Sequence, residues 1–325
     1  MDREGFRTLL KTRNLTEEKI VAAIAIAERF EAYLAASTNQ PVSVTILAFC
    51  KALIQEQQNT YDNLLTLARY GRFTRNDEIY VAALELLDGA EAQPNLYQRV
   101  AEIFGEAIRD EVFDGIGIAP LGTPSIEKPF YMFPVIDRLV QKVSLPELEK
   151  LLSDCLRDLP DIYYKNERRK YKNSRNIDHY LQKRHRSFVR EIRKCQQEGR
   201  LFFSQEITDE VVEFVKNNQE IESGVREGNI VYVTKIPYNA KLYLAECDPT
   251  LKRYYACHCP WAREAIKNGG LHLNPVFCNC SGGFTKKPLE IVLGQKLQVE
   301  LLESVLQGDL RCRFAIHLPI NLELA

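Results

Sequence analysis

The sequence predicts an all-α N-terminal domain followed by an α+β C-terminal domain with an antiparallel sheet. Three observations support this fold class. The first half of the 325 residues repeats capped, amphipathic patterns of helical period. A β-branched run, IVYVTKI, then lies between glycine and proline at residues 230–236, as strands commonly do. Two apolar runs that flank Gly308 and Asp309 predict a hairpin near the C-terminus.

Helix starts in the first half are marked by residues that suit a helix N-terminus. In chain order these are Thr16, Ser43, Asn59 or Thr60, Asn76, Pro94 and Ser144. Ser144 and Glu147 form a predicted capping box, and that helix is expected to reach Leu159. Gly71 is placed as the residue that closes a helix. The Gly- and Pro-rich residues 114–134 are predicted to form a long ordered loop.

Residues 165–194 form the one strongly basic stretch of the chain and are predicted to be helical. Its cations are Lys165, Arg168, Arg169, Lys170, Lys172, Arg175, Lys183, Arg184, Arg186, Arg190, Arg193 and Lys194. Such a stretch with interleaved tyrosines could follow nucleic-acid phosphates. It could equally be a solvated connecting helix whose charge is offset by acidic helices. The net charge of −1 for the whole chain favours the connecting helix.

Length and composition predict more than one globular domain. With 45% hydrophobic residues, the chain can build two apolar cores. We predict a helical domain at 1–160, a basic helical connector at 161–205 and an α+β cysteine-rich domain at 206–325. The N-terminus lacks a secretory signal pattern, and no apolar run approaches the ~18 residues of a membrane span. A cytoplasmic location is therefore expected.

The first C-x-C pair of the C-terminal domain is predicted to lie on a strand, and the second on a strand or an extended entry segment. The two segments are 252–259 (KRYYACHC) and 275–280 (PVFCNC). A helix closed by Gly269 and Gly270 is expected between them, and another helix over residues 281–294. Residues two apart on a strand point to the same face, so each pair would present two thiols side by side.

Five of the nine cysteines are candidate metal ligands: Cys257, Cys259, Cys278, Cys280 and Cys312. In a reducing compartment such cysteines serve metal binding or catalysis more often than structural bridges. Two pairs and a further thiol could surround one tetrahedral zinc ion. A reactive or redox thiol and simple burial remain the alternatives. His258, between the first pair, would point to the opposite face of its strand and is a weaker candidate ligand.

Five further residues are candidates for ligand binding: Trp261, Arg263, Ser281, Gly282 and Gly283. Trp261 could line a pocket beside the thiols, although a lone tryptophan is more often a core residue. Arg263 could lower the pKa of a nucleophilic cysteine. The Ser-Gly-Gly sequence at a predicted helix start would leave free backbone N–H groups for an anion. The same glycines would also suit a simple strand-to-helix turn.

The last hundred residues carry two motifs that are similar to a known family. Cys278 is followed by residues 281–284 (SGGF) at a helix start, and a later strand leads to residues 308–314 (GDLRCRF). By these motifs they resemble the vinyl-reductase-type small-molecule sensing domain, whose superfamily includes the Golgi-trafficking TRAPP ligand-binding fold. They are also similar to the bacterial amino-thiazoline carboxylate hydrolase-like family. The whole chain looks like an uncharacterised bacterial family.

The resemblance implies a zinc ion held by three cysteines and one acidic residue. Cys278 and Cys312 match two of the cysteine positions, whereas the third falls on Ser304 and the acidic position on Leu301. If the metal is kept, Cys257, Cys259 or Cys280 must supply the missing ligands.

These observations predict a small-molecule-binding or sensor-type protein with a structural zinc site rich in cysteine. Its ligand would be a small apolar or carboxylate molecule. One alternative is a cysteine-dependent hydrolase of a small carboxylate, and a second is a nucleic-acid-binding regulator that uses the basic helix. A homodimer is a further possibility. Metal content distinguishes zinc binding from thiol catalysis, and salt-dependent affinity would reveal nucleic-acid binding.

Overall fold

A computed structural model describes residues 1–320 except Thr38, Cys155, Leu159 and 269–272. It confirms the predicted fold class, because helices fill the N-terminal half and a four-stranded antiparallel sheet lies near the C-terminus. Packing groups the chain into two compact units: unit 1 comprises Met1–Ala90 and Ile118–Lys128, and unit 2 comprises Glu91–Gly117 and the residues from Pro129 onwards. The predicted domain boundaries after residues 160 and 205 differ from these divisions and stay a prediction about independent folding.

Unit 1 is built from helices around one apolar core. The helices are α1 Arg3–Lys11, α2 Glu17–Ala36, α3 Val42–Gln55, α4 Tyr61–Phe73 and α5 Asp77–Leu87. Aromatic rings meet inside this core, where the Phe6 ring lies edge to face 5.7 Å from the Tyr70 ring. Edge-to-face contacts of this kind add stability beyond the apolar area that they bury.

Side-chain caps explain most helix starts of unit 1. Thr16, Thr60 and Asn76 each accept a backbone N–H from the first turn of their helix, as predicted. The predicted cap at Ser43 is wrong, because Pro41 precedes the helix and α3 begins at Val42. The fixed φ of proline suits a position just before a helix, so no side-chain cap is needed there.

Gly71 does not close a helix as predicted, because it lies inside α4. A Cβ atom on Gly71 would meet the backbone nitrogen of Tyr80 at 2.6 Å. Glycine is therefore needed for the close approach of α4 to α5.

Unit 2 contains the remaining helices of the described residues. They are α6 Ala92–Phe104, α7 Glu106–Phe113, α8 Lys128–Lys142 (from Pro129), α9 Leu145–Ser153, α10 Lys165–Lys172, α11 Ile177–Gln197, α12 Asp209–Lys216, α13 Ala240–Ala245, α14 Pro249–Ala256, α15 Arg263–Asn268 and α16 Asn279–Leu293. Short 3-10 turns lie at Asp161–Tyr164 and Pro275–Cys278. Within the described ranges, none of the helices combines the length and apolar character that crossing a membrane requires.

Several boundaries in unit 2 differ from those predicted. The helix predicted from Pro94 begins at Ala92, and the loop predicted over 114–134 is shorter because α8 begins at Lys128. The capping box is confirmed, since the Glu147 carboxylate accepts the backbone N–H of Ser144 at 3.2 Å. That helix ends at Ser153, and its predicted last residue lies outside the described residues.

The sheet of unit 2 is antiparallel and has the strand order β1-β2-β4-β3. The strands are β1 Val225–Glu227, β2 Ile230–Thr234, β3 Gln298–Glu303 and β4 Arg313–His317. The predicted strand in 230–236 and the hairpin around Gly308 and Asp309 are thus confirmed. One face of the sheet, including Val233 and Phe314, packs with Tyr180 of α11 and Leu289 of α16.

The two strands predicted for the C-x-C segments are wrong. Residues 252–256 continue α14, and residues 275–280 form a 3-10 turn that leads into α16. Local capping explains both results: the carboxylate of Asp248 accepts the Leu251 N–H at 2.8 Å, and the side chain of Asn274 accepts the Val276 N–H. These helix starts outweigh the strand preference of the tyrosines. The glycines predicted to close α15, Gly269 and Gly270, lie outside the described residues.

Candidate metal centre

Three separate segments of unit 2 carry four neighbouring cysteine thiols. Cys257 and Cys259 follow the end of α14, Cys278 is the N-cap of α16, and Cys312 immediately precedes β4. An ionised Cys278 would be repelled by charges on each of the other three. An ionised Cys257 would likewise be repelled by Cys259 and Cys312. We refer to Cys257, Cys259, Cys278 and Cys312 as the thiol cluster.

The hairpin turn after β3 joins the thiol cluster through Ser304. The hydroxyl of this fully buried serine donates to the Cys278 Sγ at 3.0 Å. Its backbone N–H donates to the Asp309 carboxylate at 2.8 Å, which fixes the turn. Arg253 of α14 donates to the Val305 carbonyl, and the Cys312 thiol also interacts with the backbone at Val305. The turn therefore holds α14, α16 and β4 beside one another.

Burial controls the protonation of three of the four cluster thiols. It is the main reason why the pKa of Cys257 is raised, followed by the nearby thiols of Cys259 and Cys312. Burial, and then Cys312, raises the pKa of Cys278, and burial raises that of Cys312. At neutral pH these groups are therefore neutral thiols unless a cation stabilises the thiolate form.

The donor set of the cluster fits zinc chemically, but its side chains do not form a preformed coordination sphere. Among the described residues, no group of three or more His, Cys, Asp and Glu side chains is arranged to hold a metal ion. Zinc is bound by four thiolates in many structural sites, with sulfur about 2.3 Å from the metal. Binding here would require the thiol side chains to rotate toward a common point.

Cys280 and His258 lie next to cluster residues in sequence. Cys280 is the second residue of α16 and is half-buried, and its predicted role as a ligand stays a prediction. His258 lies between Cys257 and Cys259, and its Nε2 contacts the Ile236 carbonyl. Burial, together with Lys235, lowers the pKa of His258 to about 3. The neutral ring therefore donates to that carbonyl.

The predicted ligand-binding residues lie in the interior of unit 2. Trp261 and Arg263 are 2% and 4% exposed, and the Arg263 guanidinium lies 4.0 Å from the centre of the Tyr238 ring. That distance indicates a cation–π contact within the domain. A role for either residue in ligand binding stays a prediction.

The Ser281-Gly282-Gly283 sequence does not lie at the helix start, because α16 begins two residues earlier, at Asn279. The N–H groups of Gly282 and Gly283 are therefore beyond the free first turn of the helix. A Cβ on Gly282 would lie 3.2 Å from the Phe314 ring and 3.3 Å from Val299. This glycine lets α16 pack closely on the sheet, and a role for Ser281, Gly282 and Gly283 in anion binding stays a prediction.

No disulfide joins the cysteines within the described ranges. Sequence reasoning missed the part that Asp309 and Val305 play in holding the cluster together. The Gly308-Asp309 turn signal was visible, but the contacts across the turn depend on how α14 and α16 pack.

Comparison with known proteins gives one match. Residues 162–322 match the family of unknown function DUF6144. The matched segment is just under half of the chain and includes α10, α11, the sheet and the whole thiol cluster. No curated protein and no solved structure gave a match. These findings fit the expectation of an uncharacterised family, whereas the resemblance to sensing domains and to the hydrolase-like family stays a prediction.

Proposed function

We propose that the part of the chain matched by DUF6144 is a zinc-binding domain in which the thiol cluster holds a structural metal ion. One observation supports this most: four thiols from three segments, distant in sequence, are electrostatic neighbours inside unit 2. With Cys257, Cys259, Cys278 and Cys312 as ligands, zinc would tie α14, α16 and β4 together. Four thiolates leave no open position for a catalytic water.

Simple burial explains other cysteines of the chain better than it explains the cluster. Cys50 lies alone among the apolar side chains of the unit 1 core, and Cys195 lies in a separate apolar cluster of unit 2. Each behaves as a small hydrophobic residue. Four thiols beside one another instead form a set of soft donors, and a divalent cation would supply the charge that their ionisation needs.

Two other functions predicted from the sequence, the binding of a small molecule and cysteine-dependent hydrolysis, have less support. A small apolar or carboxylate ligand is supported by the resemblance to sensing domains alone. A cysteine hydrolase would need a thiol with a lowered pKa, whereas the pKa values of Cys257, Cys278 and Cys312 are raised. These pKa directions argue against Cys257, Cys278 and Cys312 as nucleophiles.

The test is the metal content of the full-length protein, purified without an affinity-tag metal and measured by elemental analysis. We expect about one zinc per chain. Cys257→Ser and Cys312→Ser should each reduce the zinc content severalfold. Cys247→Ser is the matched control, because Cys247 is exposed in the same unit and should leave zinc unchanged.

Protein that contains no zinc and takes up none from a stoichiometric zinc solution would contradict the proposal. To separate metal loss from misfolding, thiols of the wild-type protein are counted with a chromogenic disulfide reagent before and after chelation. The proposal requires the number of reactive thiols to rise after chelation. Cys280→Ser then determines whether the fifth cysteine is a ligand.

A further inference from the structure

A basic groove lies on unit 2 among α10, α11 and α12. Its volume is about 710 Å³. The side chains that line it are Lys170, Lys183, His185, Arg186, Ser187, Val189, Arg190, Arg193 and Lys216. The lining contains six lysines and arginines and not one acidic residue. We refer to this feature as the basic groove.

Four of these cations follow one face of α11. Lys183, Arg186, Arg190 and Arg193 are separated by three, four and three positions, which places them on one stripe of a helix. At 1.5 Å per residue the stripe is about 15 Å long. Lys170 of α10 and Lys216 of α12 add two further cations to the lining. The four α11 charges therefore form a line and do not converge on one point.

Neighbouring acids neutralise only part of this charge. Glu213 pairs with Lys216 at 2.9 Å and with Arg193 at 3.6 Å. Lys170 pairs with Glu167. Arg186 and Arg190 are exposed, and within the described ranges neither forms an ion pair. The middle of the stripe thus carries two uncompensated guanidinium groups.

We propose that the basic groove binds the phosphate backbone of nucleic acid, independently of sequence. A line of cations about 15 Å long matches a row of phosphates, of which each strand of duplex DNA carries one per 3.4 Å of helix axis, better than it matches one small anion. Guanidinium groups bind phosphate oxygens through two parallel hydrogen bonds. The lining offers no Phe, Tyr or Trp ring for base stacking, and the one imidazole, that of His185, contacts the Lys216 carbonyl, so contacts with the backbone dominate.

The proposal is independent of the zinc site. It differs from a general electrostatic attraction, because the net charge of the whole chain is −1. Binding must therefore come from the local groove, and reversing its two uncompensated charges should remove most of it.

The test is fluorescence anisotropy of a labelled 24-base-pair DNA duplex titrated with the full-length protein in 50 and 200 mM KCl. We expect binding at 50 mM KCl that weakens by at least about tenfold at 200 mM, as phosphate contacts require. The double variant R186E/R190E should bind at least about tenfold more weakly than the wild type. K11E/R13E reverses the same number of exposed charges in unit 1 and should change affinity less than about threefold.

Several outcomes would overturn the proposal. They are no duplex binding at 50 mM KCl, equal losses in the two variants, or salt-independent binding. Preference for labelled heparin, or for tripolyphosphate, over the duplex would also refute it and assign the groove to other anions. Circular dichroism checks that R186E/R190E is folded, which is expected because both side chains are exposed.

Discussion

Ser304 links the thiol cluster to the site that the resemblance implies. Its hydroxyl lies 3.0 Å from the Cys278 sulfur. The resemblance proposed from the sequence places the third cysteine of sensing domains at this position. Ser304→Cys should place another soft donor beside Cys278. Four thiolates already fill a tetrahedral zinc site, so the added thiol is tested where one ligand is missing. In a Cys257→Ser background we expect Ser304→Cys to raise zinc affinity at least about tenfold, which corresponds to about 1.4 kcal/mol. Competition with a chromogenic zinc chelator measures this change.

Leu306→Cys provides a control for that experiment, because it adds a thiol to the same turn without replacing the group that contacts Cys278. In the Cys257→Ser background it should leave zinc affinity close to that of Cys257→Ser alone. Unchanged or weaker zinc binding when Ser304→Cys is added to this background would mean that position 304 does not face the metal.

Replacing Gly71 by alanine should destabilise the protein, although helix propensity alone would predict the opposite. Alanine normally stabilises a helix interior relative to glycine by about 1 kcal/mol. Here the added Cβ would lie 2.6 Å from the backbone nitrogen of Tyr80, so α4 and α5 must move apart. We expect Gly71→Ala to lower the free energy of unfolding by about 1–3 kcal/mol, measured by urea denaturation.

Gly117→Ala is the matched control for Gly71→Ala. A Cβ there would meet nothing within 4 Å, and the backbone has no positive φ. Its effect should be neutral or slightly stabilising, because alanine reduces the freedom of the unfolded chain. A stabilised Gly71→Ala would contradict the close helix contact.

At the residue scale, the sequence predicts interactions that close within one helical turn. Thr16 and Asn76 were predicted as caps from their residue type and position. In the structure each side chain accepts the backbone N–H three positions later. The roles of Gly71 and Gly282 could not be predicted this way. Each depends on an atom from another element, namely the backbone of Tyr80 and the ring of Phe314.

At the element scale, Glu167 ties α10 to α11. Its carboxylate accepts bonds from Lys170 at 2.6 Å and from the Tyr180 hydroxyl at 2.9 Å, and it pairs with Arg184. Burial alone would raise the pKa of Glu167, but Arg184, Lys170 and Tyr180 together lower it below its usual value. The stability that this carboxylate contributes is therefore present above the unfolded pKa of about 4.3 and is lost as the pH falls through the folded value.

We expect Glu167→Gln to destabilise the protein by about 1–3 kcal/mol at pH 7, because Arg184 loses a partly buried partner. The variant should also lose less stability than the wild type between pH 5 and pH 3. Urea denaturation across this range measures both effects. Glu149→Gln, at an exposed position of α9, should retain the acid sensitivity of the wild type. Parallel pH profiles for wild type and Glu167→Gln would exclude the proposed linkage.

Most elements were predictable, but the C-x-C segments were not. Strand β2 and the β3–β4 hairpin are confirmed because alternation, glycine and turn residues agree locally. The KRYYACHC segment has the composition of a strand, yet Asp248 and Pro249 start a helix that runs through its tyrosines. The four thiols are brought together by tertiary packing. They are therefore neighbours in the structure although the predicted strands are absent from these segments.

At the scale of the whole molecule, zinc bound only to the folded state must stabilise it. At free zinc a thousandfold above the dissociation constant, the gain is about 4 kcal/mol. We therefore expect a strong chelator to lower the midpoint of thermal unfolding, as measured by differential scanning calorimetry.

Cys278→Ser serves as the control, because a protein without the cluster's central thiol should no longer respond to the chelator. An identical unfolding curve with and without chelator in the wild-type protein would contradict a structural role for zinc.

The overall division of the chain shows the limit of sequence reasoning at this scale. Helical and mixed α+β regions were predicted from periodicity. The packing units are discontinuous, since Ile118–Lys128 packs with the first ninety residues. Composition cannot predict that a later segment packs into an earlier core, because this depends on tertiary contacts and not on the local sequence.

The pairing of the central strands β2 and β4 bears on the order in which the sheet forms. Thr234 of β2 pairs with Arg313 of β4, and α13 to α16 lie between them in the chain. Closing so long a segment costs conformational entropy before new contacts offset it, so we expect β2 to join the sheet after the local β3–β4 hairpin. We expect the four thiols of the cluster to be accessible to oxidants during this delay. Refolding should therefore be slow, and its yield should rise when a reductant is present.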